Sequence, residues 1–232
     1  MKTLTMLFAL MAIAATAGFA DDRQPLSYTF VEAEYAIDSS IEIYGNSSDS
    51  DNAFAIGGSW KISRHFVLWG RFNSASYDLP NFGEHLNIQL GTLGAMYRIP
   101  IREGENSPLD FLVGLNLEYQ NTDILTQLGG ETFSDPGMGF GGGFKAGIAK
   151  HFDLSAFLHY ADFGVFSEGY RNYLDGLSFE LGAELFLTRR LSLTAIYLTG
   201  EIDYVYLPGM ERPEEVEVDR DEVRVGVRFN FR

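Results

Sequence analysis

From Leu109 onward the chain places Leu109, Phe111, Val113, Leu115, Leu117 and Tyr119 in one phase and Asp110, Leu112, Gly114, Asn116, Glu118 and Gln120 in the other. A period of two turns successive side chains to opposite faces of a sheet, so this stretch predicts a strand. The same template recurs. Met138, Phe140, Phe144, Ala146 and Ile148 oppose Gly139, Gly141, Gly143 and Lys145; Phe179, Leu181, Ala183, Leu185 and Leu187 oppose Ser178, Glu180, Gly182 and Glu184. Near the C-terminus Val223, Val225, Val227, Phe229 and Phe231 alternate with Arg224, Gly226, Arg228 and Asn230. Ten such segments are counted, near 26 to 37, 52 to 62, 65 to 76, 85 to 99, 109 to 122, 137 to 150, 152 to 163, 176 to 188, 191 to 206 and 217 to 231.

Prolines at 25, 80, 100, 108, 136, 208 and 213 partition these segments, because proline removes a ladder donor and is excluded from the interior of paired strands. The connections alternate in character. Odd-numbered ones are long and polar, as from Asp38 to Asp51, Asp123 to Pro136 and Leu207 to Val216. Even-numbered ones are mostly tight, as at Lys61-Ile62-Ser63-Arg64, Lys150-His151-Phe152 and Thr188-Arg189-Arg190, with Pro100 to Pro108 a longer exception. This predicts an all-β fold: a ten-stranded antiparallel transmembrane β-barrel, eight strands being the alternative count, with short periplasmic turns and longer extracellular loops. No repeat or linker divides residues 21–232.

Alternation alone does not say which face meets water. Three features point to an inverted barrel. Glycines lie opposite the bulky phase, as Gly139, Gly141 and Gly143 do against Phe140 and Phe144, which suits a crowded interior of small and charged side chains. Ten rises of about 3.4 Å from Leu109 to Tyr119, tilted by about 45°, give an apolar band about 24 Å tall, the height of an outer-membrane core. Aromatics recur near segment ends, at Tyr28, Tyr35, Trp60, Phe66, Tyr97, Tyr119, Phe152, Tyr160, Tyr197, Phe229 and Phe231, as interfacial girdles require. Phe111, Val113, Leu115, Phe140, Phe144, Phe179, Leu181, Val225 and Val227 are therefore expected to face lipid. Charge cost at mid-membrane depth orients the first strand with Val31, Ala33 and Tyr35 outward. Glu32, Glu34, Arg71, Lys145, Glu180, Glu184, Arg224 and Arg228 then project into the lumen. Closure sets Glu34 near the depth of Arg224 and Glu32 near that of Arg228, so an ion-paired seam and a plugged lumen are expected. A water-filled interior that merely solvates these charges is the alternative, and wide-pore diffusion is excluded at this strand number.

Composition adds location. Lys2, the apolar run Leu4 to Ala20 and the Gly18-Phe19-Ala20 site before Asp21 read as a secretory signal over residues 1–20, and no other stretch approaches the length of a spanning helix. The formal charge of −15 argues against a nucleic-acid partner, because phosphate is repelled. With no cysteine in an exported chain, disulfides contribute nothing to its stability.

The search for chemistry is less productive. The histidines are His65, His85, His151 and His159, none in a metal-ligand spacing such as His-Glu-x-x-His. His65 and His151 fall at predicted turns; His85 lies near Asp78, and His159 points inward near Asp162. A mouth enzyme, protease or lipid-modifying, could use such a histidine as base, but Gly-x-Ser-x-Gly is absent and no nucleophile is marked. No catalytic residue, metal site or cofactor is expected. Acidic stretches at Ser48-Asp49-Ser50-Asp51 and at Glu211, Glu214, Glu215, Glu217, Asp219, Asp221 and Glu222 could hold divalent cations bridging lipopolysaccharide phosphates. A solvated, self-repelling loop is the simpler reading of both, since neither matches a calcium loop. Gly141-Gly142-Gly143 is no phosphate cradle, since no helix follows it.

The start Leu26-Ser27-Tyr28-Thr29-Phe30-Val31-Glu32, the segments Gly58-Ser59-Trp60 and Phe66-Val67-Leu68-Trp69-Gly70-Arg71-Phe72, and the C-terminal alternating run resemble the small outer-membrane β-barrel proteins of gammaproteobacteria. The similarity is greatest to a branch sometimes described as quorum-sensing or immune-activating outer-membrane proteins. It implies export to the outer membrane, a setting of outer-membrane lipids and lipopolysaccharide, and insertion by the barrel-assembly machinery. That machinery reads a terminal aromatic strand, here Phe229 and Phe231, although Arg232 follows. The resemblance transfers no catalytic residue. The expected role is structural or surface-interacting, with a narrow channel as an extension of it and a soluble periplasmic ligand-binding barrel as the rival.

Overall fold

A computed structural model describes residues 26–43, 46–79, 84–103, 107–126, 129–162, 174–204 and 216–231. The expected signal segment 1–20 and the acidic Glu211, Glu214 and Glu215 lie outside the described residues. Ten strands follow in order: β1 (Phe30–Ile43), β2 (Asn46–Lys61), β3 (Phe66–Leu79), β4 (Glu84–Arg102), β5 (Leu109–Thr126), β6 (Gly129–Ala149), β7 (Phe152–Asp162), β8 (Leu174–Phe186), β9 (Leu191–Tyr204) and β10 (Val216–Asn230). Each pairs antiparallel with its neighbour in sequence, and β1 pairs with β10, so the sheet closes. Closure removes the edge strands that would otherwise carry unpaired backbone groups.

One end, the turn end, carries the connections β2–β3, β4–β5, β6–β7 and β8–β9. Hydroxyls fix two of them. Ser63 Oγ accepts from the amides of His65 and Phe66 at 3.3 and 3.1 Å, and Thr188 Oγ1 accepts from those of Arg190 and Leu191 at 3.2 and 3.0 Å. These side-chain turns explain why so few residues reverse the chain.

At the opposite hairpin end the strands run further than the alternation predicts. Ser40 pairs with Asp49 and Ile43 with Asn46, so much of Asp38 to Asp51 is ladder rather than loop. Asp123 to Pro136 likewise forms the β5–β6 ladder up to Thr126 opposite Gly129, whereas Glu217 to Glu222 belong to β10, as the segment 217 to 231 predicts. Polar residues in both phases hid these extensions, since a wall standing in water on both sides needs no apolar phase.

Two prolines also sit inside strands, contrary to the partition. Pro100 pairs with Asp110 of β5, but the β3 ladder on its other side stops at Phe66 opposite Tyr97. Pro136 pairs with Tyr119, while β7 begins to pair only at Met138. Among the described residues each therefore stands where its strand has one neighbour, which is where a missing donor is tolerated.

The register fixes which side chains face inward, and glycine sets how closely the inner wall can approach itself. A Cβ at Gly143 would lie 2.1 Å from the Ala156 carbonyl oxygen and 2.6 Å from the Phe157 ring; one at Gly114 would lie 2.3 Å from the Ala95 carbonyl oxygen. Gly143→Val is predicted to destabilise the barrel by about 1–3 kcal/mol, the usual cost of overpacking, read from its urea unfolding midpoint in detergent. An unchanged midpoint would show that the wall at β6–β7 is loose.

Candidate functional site

The lumen is where the sequence concentrates its chemistry, and it is layered from the turn end upward. Residues preceding β1 enter it. The Tyr28 hydroxyl donates to the Asp110 carboxylate, which also accepts from Arg98 Nε at 2.6 Å and Nη2 at 2.9 Å. Arg98 and Lys145 lie 5.3 and 5.5 Å from the Tyr28 ring centroid, and Lys145 Nζ donates to the Ser27 carbonyl at 3.0 Å. Burial, reinforced by Asp110, pushes the Tyr28 phenol far above its ordinary range, so it remains a donor. Leu26, Val67, Met96, Leu112 and Phe157 pack around it. Tyr28 is thus a luminal anchor and not the interfacial aromatic that its position in the sequence suggested. Phe152, also expected at an interface, is buried with Ala183, Leu185 and Ala195.

Above this floor lies the seam. Glu32 sits opposite Arg228 in the register and accepts from it at 2.6 and 2.9 Å. Arg228 also reaches Glu184 at 2.6 Å and stands 3.8 Å over the Phe30 ring. Lys145 meets Glu184 at 3.2 Å, and Ser192 Oγ donates to the same carboxylate at 2.7 Å. Arg71 binds Glu34 at 2.6 Å and Glu180 at 2.8 Å. Arg224 lies 3.7 Å from Glu34 but engages Glu222 more closely and donates to Asn73 at 2.7 Å. Glu32, Glu34, Arg71, Lys145, Glu180, Glu184, Arg224 and Arg228 share the inward phase of their strands, and the chief partner of Glu34 is Arg71 rather than Arg224. Glu222, read as a solvated loop residue, is instead buried between Arg220 and Arg224. Strand β10 carries it into the barrel.

The wall formed by β5–β7 holds a second cluster. His159 Nε2 lies 2.9 Å from Glu118 and 3.1 Å from the Asn116 side-chain oxygen, whose amide nitrogen donates to Glu118. Both neighbours accept, so this nitrogen carries the proton. The expected neighbour of His159, Asp162, is in the opposite phase, one residue beyond Ala161 on the inner face. His85 contacts Asp78 on the exposed side of β3–β4, so the two histidines do not share a site. Toward the hairpin end the β1–β4 side is filled by Ala36, Ile41, Ala53, Tyr77, Leu86 and Ile88.

Among the described inward side chains, the cations Arg71, Arg98, Lys145, Arg220, Arg224 and Arg228 pair with the carboxylates Glu32, Glu34, Asp110, Glu180, Glu184 and Glu222, and Glu118 and Asp153 lie on the same face. Between the charged seam and the β3–β7 wall lies a cavity of about 290 Å³. A smaller void of about 30 Å³, the size of one water, adjoins Asp153, Glu184 and Thr194.

Outside, the polarity inverts. Leu115 and Leu93 are 63% exposed, and Phe140, Phe144, Val113, Val227 and Phe179 are exposed beside them. Phe111, Leu181 and Val225 occupy the same outward phase and are partly covered. Aromatics flank this band: Trp60, Phe66, Tyr97, Phe229 and Phe231 toward the turn end, and Tyr35, Tyr119 and Tyr160 toward the hairpin end. At the turn end Arg64 pairs with Glu103 at 2.6 Å in the open and holds that carboxyl below its ordinary range.

A closed antiparallel wall, greasy outside and ionised within, defines a transmembrane β-barrel. Comparison with solved structures finds similar proportions at low identity. The chain resembles Neisserial surface protein A with a TM-score of 0.45 and 13% identity, covering 87% of this chain and 96% of that one. It resembles the transport unit of the autotransporter AIDA-I from Escherichia coli with a TM-score of 0.47 and 11% identity, covering 96% and 97%. The outer membrane protease OmpT from Escherichia coli gives a TM-score of 0.45 and 9% identity, covering 90% and 99%. No family model matches the sequence, and no curated protein matches it. The fold assignment rests on this chain's own pairing.

Removing one member of a buried ion pair leaves an uncompensated charge. Arg228→Met, which leaves Glu32 with the more distant Arg71 at 3.9 Å and relieves Glu184 of one partner, is predicted to cost about 3–5 kcal/mol. Arg64→Ala at the exposed pair is predicted to leave the unfolding midpoint unchanged. Equally small shifts in both would mean that the luminal charges are solvated.

Proposed function

We propose that this chain is an integral outer-membrane β-barrel whose lumen is closed to solutes at the turn end by its own residues 26–29, and whose role is structural or surface-interacting. The observation that carries the reading is the inverted polarity: exposed Leu, Val and Phe form a band about 24 Å tall around a wall whose inner face is ion-paired. Closure is supported by Tyr28, which ties Asp110, Arg98 and Lys145 together across the floor of the lumen. The resemblance of the first three strands and of the terminal Phe229 and Phe231 to small gammaproteobacterial barrels supports export, insertion by the barrel-assembly machinery and contact with lipopolysaccharide. It supports the quorum-sensing or immune-activating branch in the same way. On this reading the turn end is periplasmic and the hairpins face outward.

Two measurements test it. The protein is expected in the outer-membrane fraction, with a gel mobility that shifts on heating; recovery from the periplasm without detergent would overturn the membrane assignment. In planar bilayers the intact barrel is expected to give no current above background, and deletion of residues 21–29 to produce small steps. Porin-sized steps from the intact protein would overturn the closed lumen.

A further inference from the structure

We propose that the luminal cavity is a binding site for a small amphipathic organic cation, an ammonium group carried on an aryl or alkyl body. The space of about 290 Å³ lies close to the range of small-molecule sites, and it is two-sided. Trp69, Leu90, Met96, Leu112 and Phe157 supply an apolar surface on the β3–β7 side. They face the ion-paired seam rather than the apolar cluster around Tyr77. Facing them is Glu180, whose side chain is 25% exposed while the other luminal ion-paired carboxylates are at 8% or less. It pairs with Arg71, which it shares with Glu34.

Charge selects the ligand's sign. Arg71, Lys145, Arg220, Arg224 and Arg228, which line the cavity, are each paired with a carboxylate, whereas Glu118 on the same lining is met, among the described residues, by Asn116 and His159. In an enclosed, low-dielectric space an added cation finds this carboxylate without a fixed positive partner, and an added anion finds these cations already matched. Among the described residues, the hairpin end is packed around Tyr77 on the β1–β4 side, whereas on the β7–β9 side the cavity extends to the small residues Ala161, Gly176 and Gly200.

The chain supplies its own reporter. It has two tryptophans, of which Trp60 points outward at 63% exposure and Trp69 lines the cavity. Trp60→Phe therefore leaves a single luminal fluorophore. This variant, folded in detergent, is titrated with phenethylammonium, phenethyl alcohol and phenylpropionate while Trp69 emission is followed. The expected result is a saturable change with the ammonium, at least about tenfold tighter than with the alcohol, the scale of one charge-assisted hydrogen bond, and none with the carboxylate. Adding Glu180→Gln is expected to bring the ammonium to the level of the alcohol in protein that retains its heat-modifiable mobility. Overlapping responses from all three compounds, or no saturable response, overturn the proposal, and this comparison needs no second variant. The proposal rests on the barrel interior alone, so a failed titration leaves the membrane assignment standing, and bilayer current does not decide it.

Discussion

A closed sheet has two faces and no edge, and in this protein the outer one is given to hydrocarbon. An ionised group that the wall turns inward at the depth of that hydrocarbon is then best neutralised within the bore, because lipid cannot do it. That constraint accounts for the register of the β1–β10 seam, where Glu32 stands opposite Arg228, and for the branching of the network beyond simple pairs. Arg228 bridges Glu32 and Glu184, and Arg71 bridges Glu34 and Glu180. A guanidinium suits such bridging, since its planar fork presents several donors to carboxylates on different strands.

The interior is consequently uneven. Charge concentrates on β1, β3, β8 and β10, whereas β5–β7 carry Asp110, Lys145 and Asp153 near the turn end and, beyond them, glycine, apolar side chains and the smaller Glu118–His159 cluster. Glycine allows β6 to pass close beneath Phe157 and His159, and the two halves fail to meet across the bore, which leaves the cavity. Stability and emptiness thus share one origin: the groups that neutralise one another draw together, and the apolar remainder is left facing them. The N-terminal segment completes the floor, where Tyr28 is held by hydrogen bonding and by two cations against its ring.

Much of this was legible in the alternating phases. Leu109 to Tyr119 and Val223 to Phe231 carry their outward face openly, and the cost of placing Glu32 and Glu34 in lipid was enough to orient an otherwise ambiguous first strand. What the alternation did not carry was anything set by three-dimensional proximity. Tyr28 precedes the first strand, so no periodicity tells whether it caps an interface or enters the bore. Glu222 sits at the end of an acidic run whose local appearance is that of a loop, and only its place in the register of β10 and the nearness of Arg220 and Arg224 make it a buried partner. Asp110 and Glu118 were visible in the inward phase, but their partners Arg98 and His159 come from the adjoining β4 and from β7, two strands away across the glycines of β6. The hairpin ends were illegible for a simple reason. Once both faces meet water, a strand loses the apolar phase by which it is recognised.

The central claim is the outward placement of the apolar phase in contact with hydrocarbon, and the absence of cysteine makes it directly measurable without background. Single cysteines at Leu115 and Phe140 in the protein reconstituted into lipid vesicles should resist a membrane-impermeant maleimide until the vesicles are dissolved and the barrel unfolded. Labelling from the aqueous phase in intact vesicles as fast as in denaturant would contradict the account, because those faces would then stand in water.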